Sequence, residues 1–318
     1  MEKKLSIIIP HYNCPHYLRT LLLSIPCLTE LQVIVIDDKS TEYKKEFTKL
    51  KEEFKKNIEF YDNNGIKSAG ACRNIGLRHA VGDWLLFADS DDYFMEGFYD
   101  AVSRYFDAEY DIIFYPPTSI VMGTDKVSDR HVEHAKKVHD YYLNPDWKNM
   151  LELRYNYQSP CSKLIRRKMV EENKIWFDET IASNDVMFSM KCGYAAKKIA
   201  VDLQEIYCIT MNTGSLTNQI SENVFDARTD VFFRRFVYLK ERLTKEEMKY
   251  LEINGRIKVF QALQNGYGLK KVFWLLKEYR KYGVQFWDWD LIPKVFHYIR
   301  VILEQLRIRK RDKEYLVK

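Results

Sequence analysis

Asp89, Ser90, Asp91 and Asp92 put three carboxylates within four positions of one another, directly after the apolar run Trp84–Ala88. Charges of one sign at that spacing repel and raise each other's pKa unless a cation or hydrogen-bond donors hold them. Either something positive binds at this turn, or the turn is solvated and Asp92 or Ser90 caps a helix beginning near Met95.

Four such loops follow four short apolar runs. Leu5–Ile9, Gln32–Asp37, Ile58–Tyr61, Trp84–Ala88 and Asp111–Tyr115 read as strands, and the segments between the first four have helical length and pattern. Alternating strand and helix predicts an α/β fold, a mostly parallel sheet with helices on both faces, since the strands are continuously apolar rather than alternating. Ligands of such sheets sit beyond the carboxyl ends of the strands. Those ends carry PHYN (Pro10–Asn13), DDKS (Asp37–Ser40), DNNG (Asp62–Gly65) and DSDD (Asp89–Asp92). Turn chemistry alone accounts for some of these residue types, but not for four loops meeting at one edge. From Pro117 to Asp146 the pattern loosens into an excursion over that edge. Helices are predicted at Lys163–Glu172 and Asp185–Gly193, with a boundary near Gly214–Ser221 and mainly helical chain beyond.

The composition, 46% hydrophobic and 14% aromatic, excludes a disordered chain. Six cysteines stand apart with no CxxC pair, as buried small residues of a reducing compartment do. The start MEKKLSIIIPHYN is too short in apolar residues for a signal peptide, and no run approaches a membrane span, so a cytoplasmic protein is expected. From Leu291 onward eight Lys or Arg oppose three Asp or Glu, which equals the whole net charge of +5. The rest is formally neutral, which argues against a nucleic-acid partner.

In order over residues 4–215, SIIIPHYN, VIDDKS, NNGIKSAGACRNIGL, LLFADSDDYF and FDETIASNDVMF resemble the family 2 glycosyltransferases, inverting enzymes of GT-A fold that use nucleotide sugars. The resemblance implies a catalytic domain over 1–218, its nucleotide half about 1–116 and its acceptor half about 117–218, followed by a helical region over 219–318. It implies that Asp91 is the direct ligand of Mn²⁺ or Mg²⁺, that Asp89 reaches the ribose or the metal, and that Ser90 joins the nucleotide-sugar site. Two carboxylates can help hold a diphosphate only through such a cation. Asp38 would accept the N3–H of uracil, making UDP-sugars the expected donors; an Asx-turn by Asp37 and Ser40 is the alternative for that loop. Pro10, His11, Tyr12 and Asn13 would wrap the nucleotide, with no proton-transfer role for His11. Asn64 and Gly65 would let the backbone approach it, and Arg73 would pair with phosphate or with the acidic cluster.

Inverting transfer needs a base that deprotonates the acceptor hydroxyl. By the resemblance this is Asp185, with Glu179 as fallback; macrodipole stabilisation at a helix start is the alternative for Asp185. The family pair Glu-Asp is here Asn184-Asp185, a departure that leaves the neighbour's role open. No His follows in Ile206–Asn218, where some members complete the metal shell.

The expected partners are a nucleotide-sugar donor and a glycan or lipid-linked glycan acceptor in polysaccharide synthesis. Over 291–318, Ile292, Val295, Phe296, Ile299, Ile302, Leu303 and Leu306 form an apolar stripe beside basic residues, suited to an anionic membrane surface or to packing on the core. Two further readings remain, a non-catalytic nucleotide-sugar-binding scaffold and a sugar-1-phosphate nucleotidyltransferase. The latter lacks its Gly-rich loop, since PHYN stands after the first strand.

Overall fold

A computed structural model describes residues 2–211 and 221–284; the stripe over 291–318 lies outside them. The chain divides into two compact units, Met1–Met211 and Asn212–Lys318.

In the first unit, β1 (Leu5–His11), β2 (Leu31–Asp37), β3 (Ile58–Asp62) and β4 (Trp84–Phe87) pair in parallel in the order β3-β2-β1-β4. Every residue of β1, β2 and β4 is buried, as strands covered on both faces must be, while the edge strand β3 is partly exposed. Each large aliphatic side chain so buried contributes about 1.5–3 kcal/mol. The register pairs His11 with Asp37 and Asp37 with Asp62, so three strands end level and deliver their loops to one edge.

The connecting helices are α1 (Pro15–Leu23), α2 (Lys44–Phe54) and α3 (Ala69–His79). Ser68 caps α3, its Oγ accepting from the Ala71 N–H at 3.1 Å. The inner face of α3 is made of small residues because it lies against the sheet: a Cβ on Gly76 would come within 2.4 Å of Ile8.

After the acidic turn come β5 (Tyr93–Phe94), α4 (Phe98–Ser103), β6 (Ile112–Phe114), β7 (Thr118–Val121), α5 (Val132–Leu143), α6 (Trp147–Leu151) and a π-helical turn at Glu152–Asn156. Next are β8 (Lys163–Arg166), α7 (Arg167–Glu172), α8 (Val186–Ala195), β9 (Ile199–Val201) and β10 (Tyr207–Met211). The main sheet continues β4-β8-β6-β9, and β5-β10-β7 form a small second sheet.

Three expectations are corrected. The helix predicted at Lys163–Glu172 is half strand: Lys163–Arg166 runs antiparallel between β4 and β6, because a four-residue apolar run is ambiguous until it finds sheet partners. The loose Pro117–Asp146 region contains β7 and the twelve-residue α5. Its regularity was masked because Val138 is the one fully buried residue of α5, so little apolar periodicity is needed there. The helix expected near Met95 starts at Phe98 with Gly97, φ 77°, at its N-cap, so neither Ser90 nor Asp92 caps it.

The second unit is helical where described: α9 (Glu222–Lys240), α10 (Lys245–Tyr250), α11 (Arg256–Gln264) and α12 (Gly268–Tyr282). Thr244 and Glu247 close a capping box on α10, and Gly283 ends α12 at φ 69°. Phe225, Phe233, Phe236, Val259, Leu275 and Tyr279 form its core.

Candidate active site

The acidic turn is held from behind by β10. The Tyr207 hydroxyl donates to Asp92 Oδ2 at 2.7 Å and accepts from the Asp89 N–H at 2.8 Å. The Thr210 N–H donates to Asp92 Oδ1 at 2.7 Å, and the Thr210 hydroxyl donates to the Asp91 carbonyl. Asp92 is therefore the structural member of the three, buried and fully engaged. Burial, then the charges of Asp91 and Asp89, push its carboxyl well above the ordinary carboxylate range. Burial and the Asp89 charge raise Asp91 to about 6, a carboxylate whose ionised form a cation would stabilise. The Ser90 hydroxyl is buried 3.0 Å from Cys14 Sγ, linking the turn to the loop after β1.

Arg73, on the first turns of α3, lies at the centre. Its Nη2 donates to Asp89 Oδ1 at 2.5 Å and its Nη1 to Asn184 Oδ1 at 2.7 Å. Burial works against the guanidinium charge, yet Asp89, Cys161 and Asp185 outweigh it and hold the group more firmly protonated. The same helix also grips the loop before α8. Asn74 exchanges two bonds with the Phe177 backbone, 3.0 and 2.9 Å, and donates to Glu179 Oε1 at 3.1 Å. Gly70 sits where a Cβ would meet the Asp178 carbonyl oxygen at 2.0 Å. Glu179 is thus tied to Asn74.

Asp185 stands at the N-cap of α8 without a side-chain capping hydrogen bond, so its carboxylate is not consumed by the helix. Burial raises its pKa, and Arg73 partly offsets this. Behind it lies a buried amine: Lys163 donates to the Tyr157 carbonyl at 2.5 Å, and burial lowers its pKa to about 7.

The loops after β1, β2 and β3 interlock. His11 is buried, stacked on Phe47 with ring centroids 4.3 Å apart. Its Nε2 accepts from the Cys14 N–H, which leaves Nδ1 to donate to Asp37 at 2.8 Å. Asp37 also accepts from the Ser40 N–H and hydroxyl at 2.9 and 2.6 Å, the Asx-turn considered for that loop. Burial works against the Asp37 charge, but these donors prevail and keep its pKa below the ordinary value. Asn13, at φ 53°, joins the second loop through its Oδ1, which accepts from Thr41 and Glu42. Pro10 is buried, so of PHYN Tyr12 alone exposes its side chain, with Lys67 Nζ 3.6 Å above the ring.

Asp38 is buried and accepts from Asn63 Nδ2 at 2.7 Å. Asn63 in turn receives the Gly65 N–H at 2.9 Å and donates to Ile66, shaping the loop that displays Asn64 and Gly65 to solvent. Sequence reasoning picked Asn64 and passed over the buried Asn63. It also passed over Asn74, Tyr207, Thr210 and Arg130. Arg130 acts on Asp91 electrostatically, and its Nη2 is buried without a hydrogen-bond partner among the described residues. DNNG offered two adjacent Asn, and only the alternation of the loop could have chosen between them; the others carry no local signal. The structure brings Tyr12, Asp38, Arg73, Asp89, Asp91 and Asp185 to the carboxyl edge of the sheet. It turns His11 and Pro10 inward. Among the described residues no group of three or more His, Cys, Asp or Glu is placed to hold a metal by itself.

The crystal structure of S. aureus TarS 1-349 in complex with UDP-GlcNAc matches with a TM-score of 0.64 at 22% identity, over 84% of this chain and 77% of that one. The same protein with UDP gives 0.59 at 25% identity, over 78% and 69%. This sheet order, with an acidic turn beyond β4, is the GT-A architecture. Residues 6–173, over half of the chain, match the profile described as Glycosyl transferase family 2, and the chain belongs to that family. Among curated relatives, the poly(ribitol-phosphate) beta-N-acetylglucosaminyltransferase TarS of Staphylococcus aureus is 27% identical over 64% of this chain and 35% of its own. The poly(ribitol-phosphate) beta-glucosyltransferase of Bacillus spizizenii is 29% identical over 72% and 36%. The putative glycosyltransferase EpsH of Bacillus subtilis is 23% identical over 77% and 71%. The chain thus spans about a third of the TarS it matches.

Proposed function

We propose that this glycosyltransferase moves a sugar from a UDP-sugar to a hydroxyl of a glycan or lipid-linked glycan acceptor, with inversion, in the synthesis of a cell-surface polymer. The observation that carries the reading is the Arg73 bridge between Asp89 and Asn184, which sets the acidic turn and Asp185 around one guanidinium. Support for UDP comes from the buried acceptor Asp38 and from the S. aureus TarS structures in complex with UDP and UDP-GlcNAc. Support for a surface polymer comes from the poly(ribitol-phosphate) relatives.

Asp38, oriented by Asn63, accepts the uracil N3–H, and Tyr12 lends an exposed aromatic face to the base. Asp91 fits a divalent cation, since burial and the Asp89 charge raise its pKa and leave its ionised form in want of positive charge; it would hold the ion together with phosphate and water oxygens. A Pyrobaculum calidifontis mannosyltransferase of similar fold, TM-score 0.54 at 13% identity, is in complex with GDP-Man and Mn²⁺. When bound, Mn²⁺ or Mg²⁺ supplies positive charge to the departing diphosphate. Asp89 is held by Arg73 and faces the ribose side, while Ser90 fixes the turn. Arg130, with a donor to spare, pairs with a donor phosphate.

Asp185 takes the acceptor hydroxyl proton as that oxygen bonds to the anomeric carbon. The bond from that carbon to the diphosphate oxygen breaks, and its electron pair leaves with UDP. Desolvation of Asp185 favours this step by raising its basicity.

Calorimetric titration of UDP, GDP and dTDP, each with Mn²⁺ and with chelator, into the wild type and Asp91→Ala tests the reading. Metal-dependent UDP binding lost in the variant is expected. Absence of nucleotide binding under every condition would reduce the acidic turn to a structural element.

A further inference from the structure

We propose that the outer face of α12 docks on an anionic lipid surface. Leu269 and Phe273 are 67% and 68% exposed, the largest exposures of apolar side chains in the described part of the second unit. Spaced i, i+4, i+8 and i+11, Leu269, Phe273, Lys277 and Arg280 share one helical face, with Lys270, Lys281 and the half-exposed Trp274 beside it. The opposite face, Leu275 and Tyr279, is buried in the helical core, so the exposed one is not spare core surface turned by chance.

Charge selects the occupant. α12 carries Lys270, Lys271, Lys277, Arg280 and Lys281 against Glu278 alone. Lys271 is engaged by Glu222 and Asp226 from α9, and Lys281 lies 3.4 Å from Glu278. Among the described residues, Lys270, Lys277 and Arg280 have no carboxylate partner. Apolar and aromatic groups interleaved with uncompensated cations suit the headgroup layer, where rings enter the acyl boundary and long basic side chains reach back to lipid phosphate. Neighbouring α11 adds Ile257, Phe260 and Leu263, all more than a third exposed. No described helix is long and apolar enough to cross a membrane, so lying on the surface is the geometry available to α12.

The test is sedimentation of the full chain with vesicles of phosphatidylcholine, and of phosphatidylcholine containing phosphatidylglycerol, at low and high salt. Partitioning to the anionic vesicles alone, weakened by salt, is expected. Replacing Lys270, Lys277 and Arg280 by Gln should weaken it about a hundredfold, at about fivefold for each basic residue near an anionic surface. Replacing Leu269 and Phe273 by Ser should weaken it at least about tenfold. Both sets lie on the exposed face, so thermal stability should hold, and it is measured alongside. A wild type that ignores anionic vesicles overturns the proposal. So does undiminished binding by both variants, which would move the contact elsewhere in the chain. A concentration-dependent dimer dissolved by Phe273→Ser, without vesicle binding, would instead make a second copy the occupant.

Discussion

Arg73 donates to Asn184 at 2.7 Å across 111 positions of sequence, while its other terminal nitrogen holds Asp89. One planar fork thereby couples the acidic turn to the residue before Asp185. An ammonium cannot span both acceptors with the same geometry. Arg73→Lys should lower transfer by about a hundredfold and stability by about 1–3 kcal/mol, the latter at the low end because Asp89 remains partly hydrated. Asn184→Leu should leave the Asp89 contact and cost transfer about tenfold. Steady-state kinetics with thermal melts decides; full activity in Asn184→Leu would show that the second arm of the bridge transmits nothing.

Gly70 permits the contact between α3 and the loop that leads to Asp185. Adding a Cβ puts it 2.0 Å from the Asp178 carbonyl oxygen and 3.0 Å from Asn184 Cβ, and neither can yield without moving the loop. Gly70→Ala should therefore lower transfer about a hundredfold through misplacement of Asp185 and destabilise the fold by about 1–3 kcal/mol. UDP affinity, read by calorimetry, should fall far less, because Asp38, the acceptor for the base, is held by Asn63 and not by that loop. A loss of UDP binding equal to the loss of transfer would contradict this division.

Asn63, rather than its neighbour Asn64, orients Asp38. Asn63→Ala should reduce UDP affinity about tenfold, since a freed carboxylate no longer presents a fixed acceptor to the base. Asn64→Ala, at an exposed position, should change it less than about twofold. Reversal of that ranking in a titration with UDP would return the role to Asn64.

The acid dependence follows from Asp91. With its folded pKa near 6 and an ordinary value of about 3.9, the metal-free fold favours the protonated carboxyl. Its stabilising contribution is present in full below about pH 4 and is lost as the pH rises to about 6. The sign for metal is opposite: the ion needs the carboxylate, so Mn²⁺-dependent UDP affinity should fall about tenfold per pH unit below about 6. Melting curves in chelator and titrations in Mn²⁺, each repeated with Asp91→Asn, should show the metal-dependent slope vanish in the variant and the stability slope shrink to what buried Asp92 and Asp185 still contribute. Asp185 adds a kinetic limb, because its raised pKa means transfer increases with pH until the carboxyl ionises. Asp185→Asn should abolish transfer at every pH and leave UDP affinity within a few-fold.

The strands were legible in the chain because a parallel strand buried on both faces must be continuously apolar, and β1, β2 and β4 are. Helix α8 was legible for a similar reason, observed at Val186–Ala195 against the expected Asp185–Gly193. The GT-A class followed from ordered motifs at the strand ends. What failed were elements whose identity depends on neighbours. Lys163–Arg166 is a strand because β4 and β6 flank it, and α5 buries Val138 alone, so few apolar residues mark it in the chain.

Residue types and their order along the chain thus determined the parallel half of the sheet, β3-β2-β1-β4, its functional edge and the positions at which carboxylates gather there. Those are local properties: burial pattern, turn chemistry and charge spacing are each written within a few residues. Which carboxylate is structural and which is free was decided only by the tertiary structure. Asp92 is consumed by Tyr207 and Thr210, Asp37 is held by His11 across the strands, and Asp38 is aimed by Asn63. Hydrogen bonds between residues 25 to 118 positions apart leave no trace in local sequence, because their partners are chosen by where the backbone returns and not by what lies next to them.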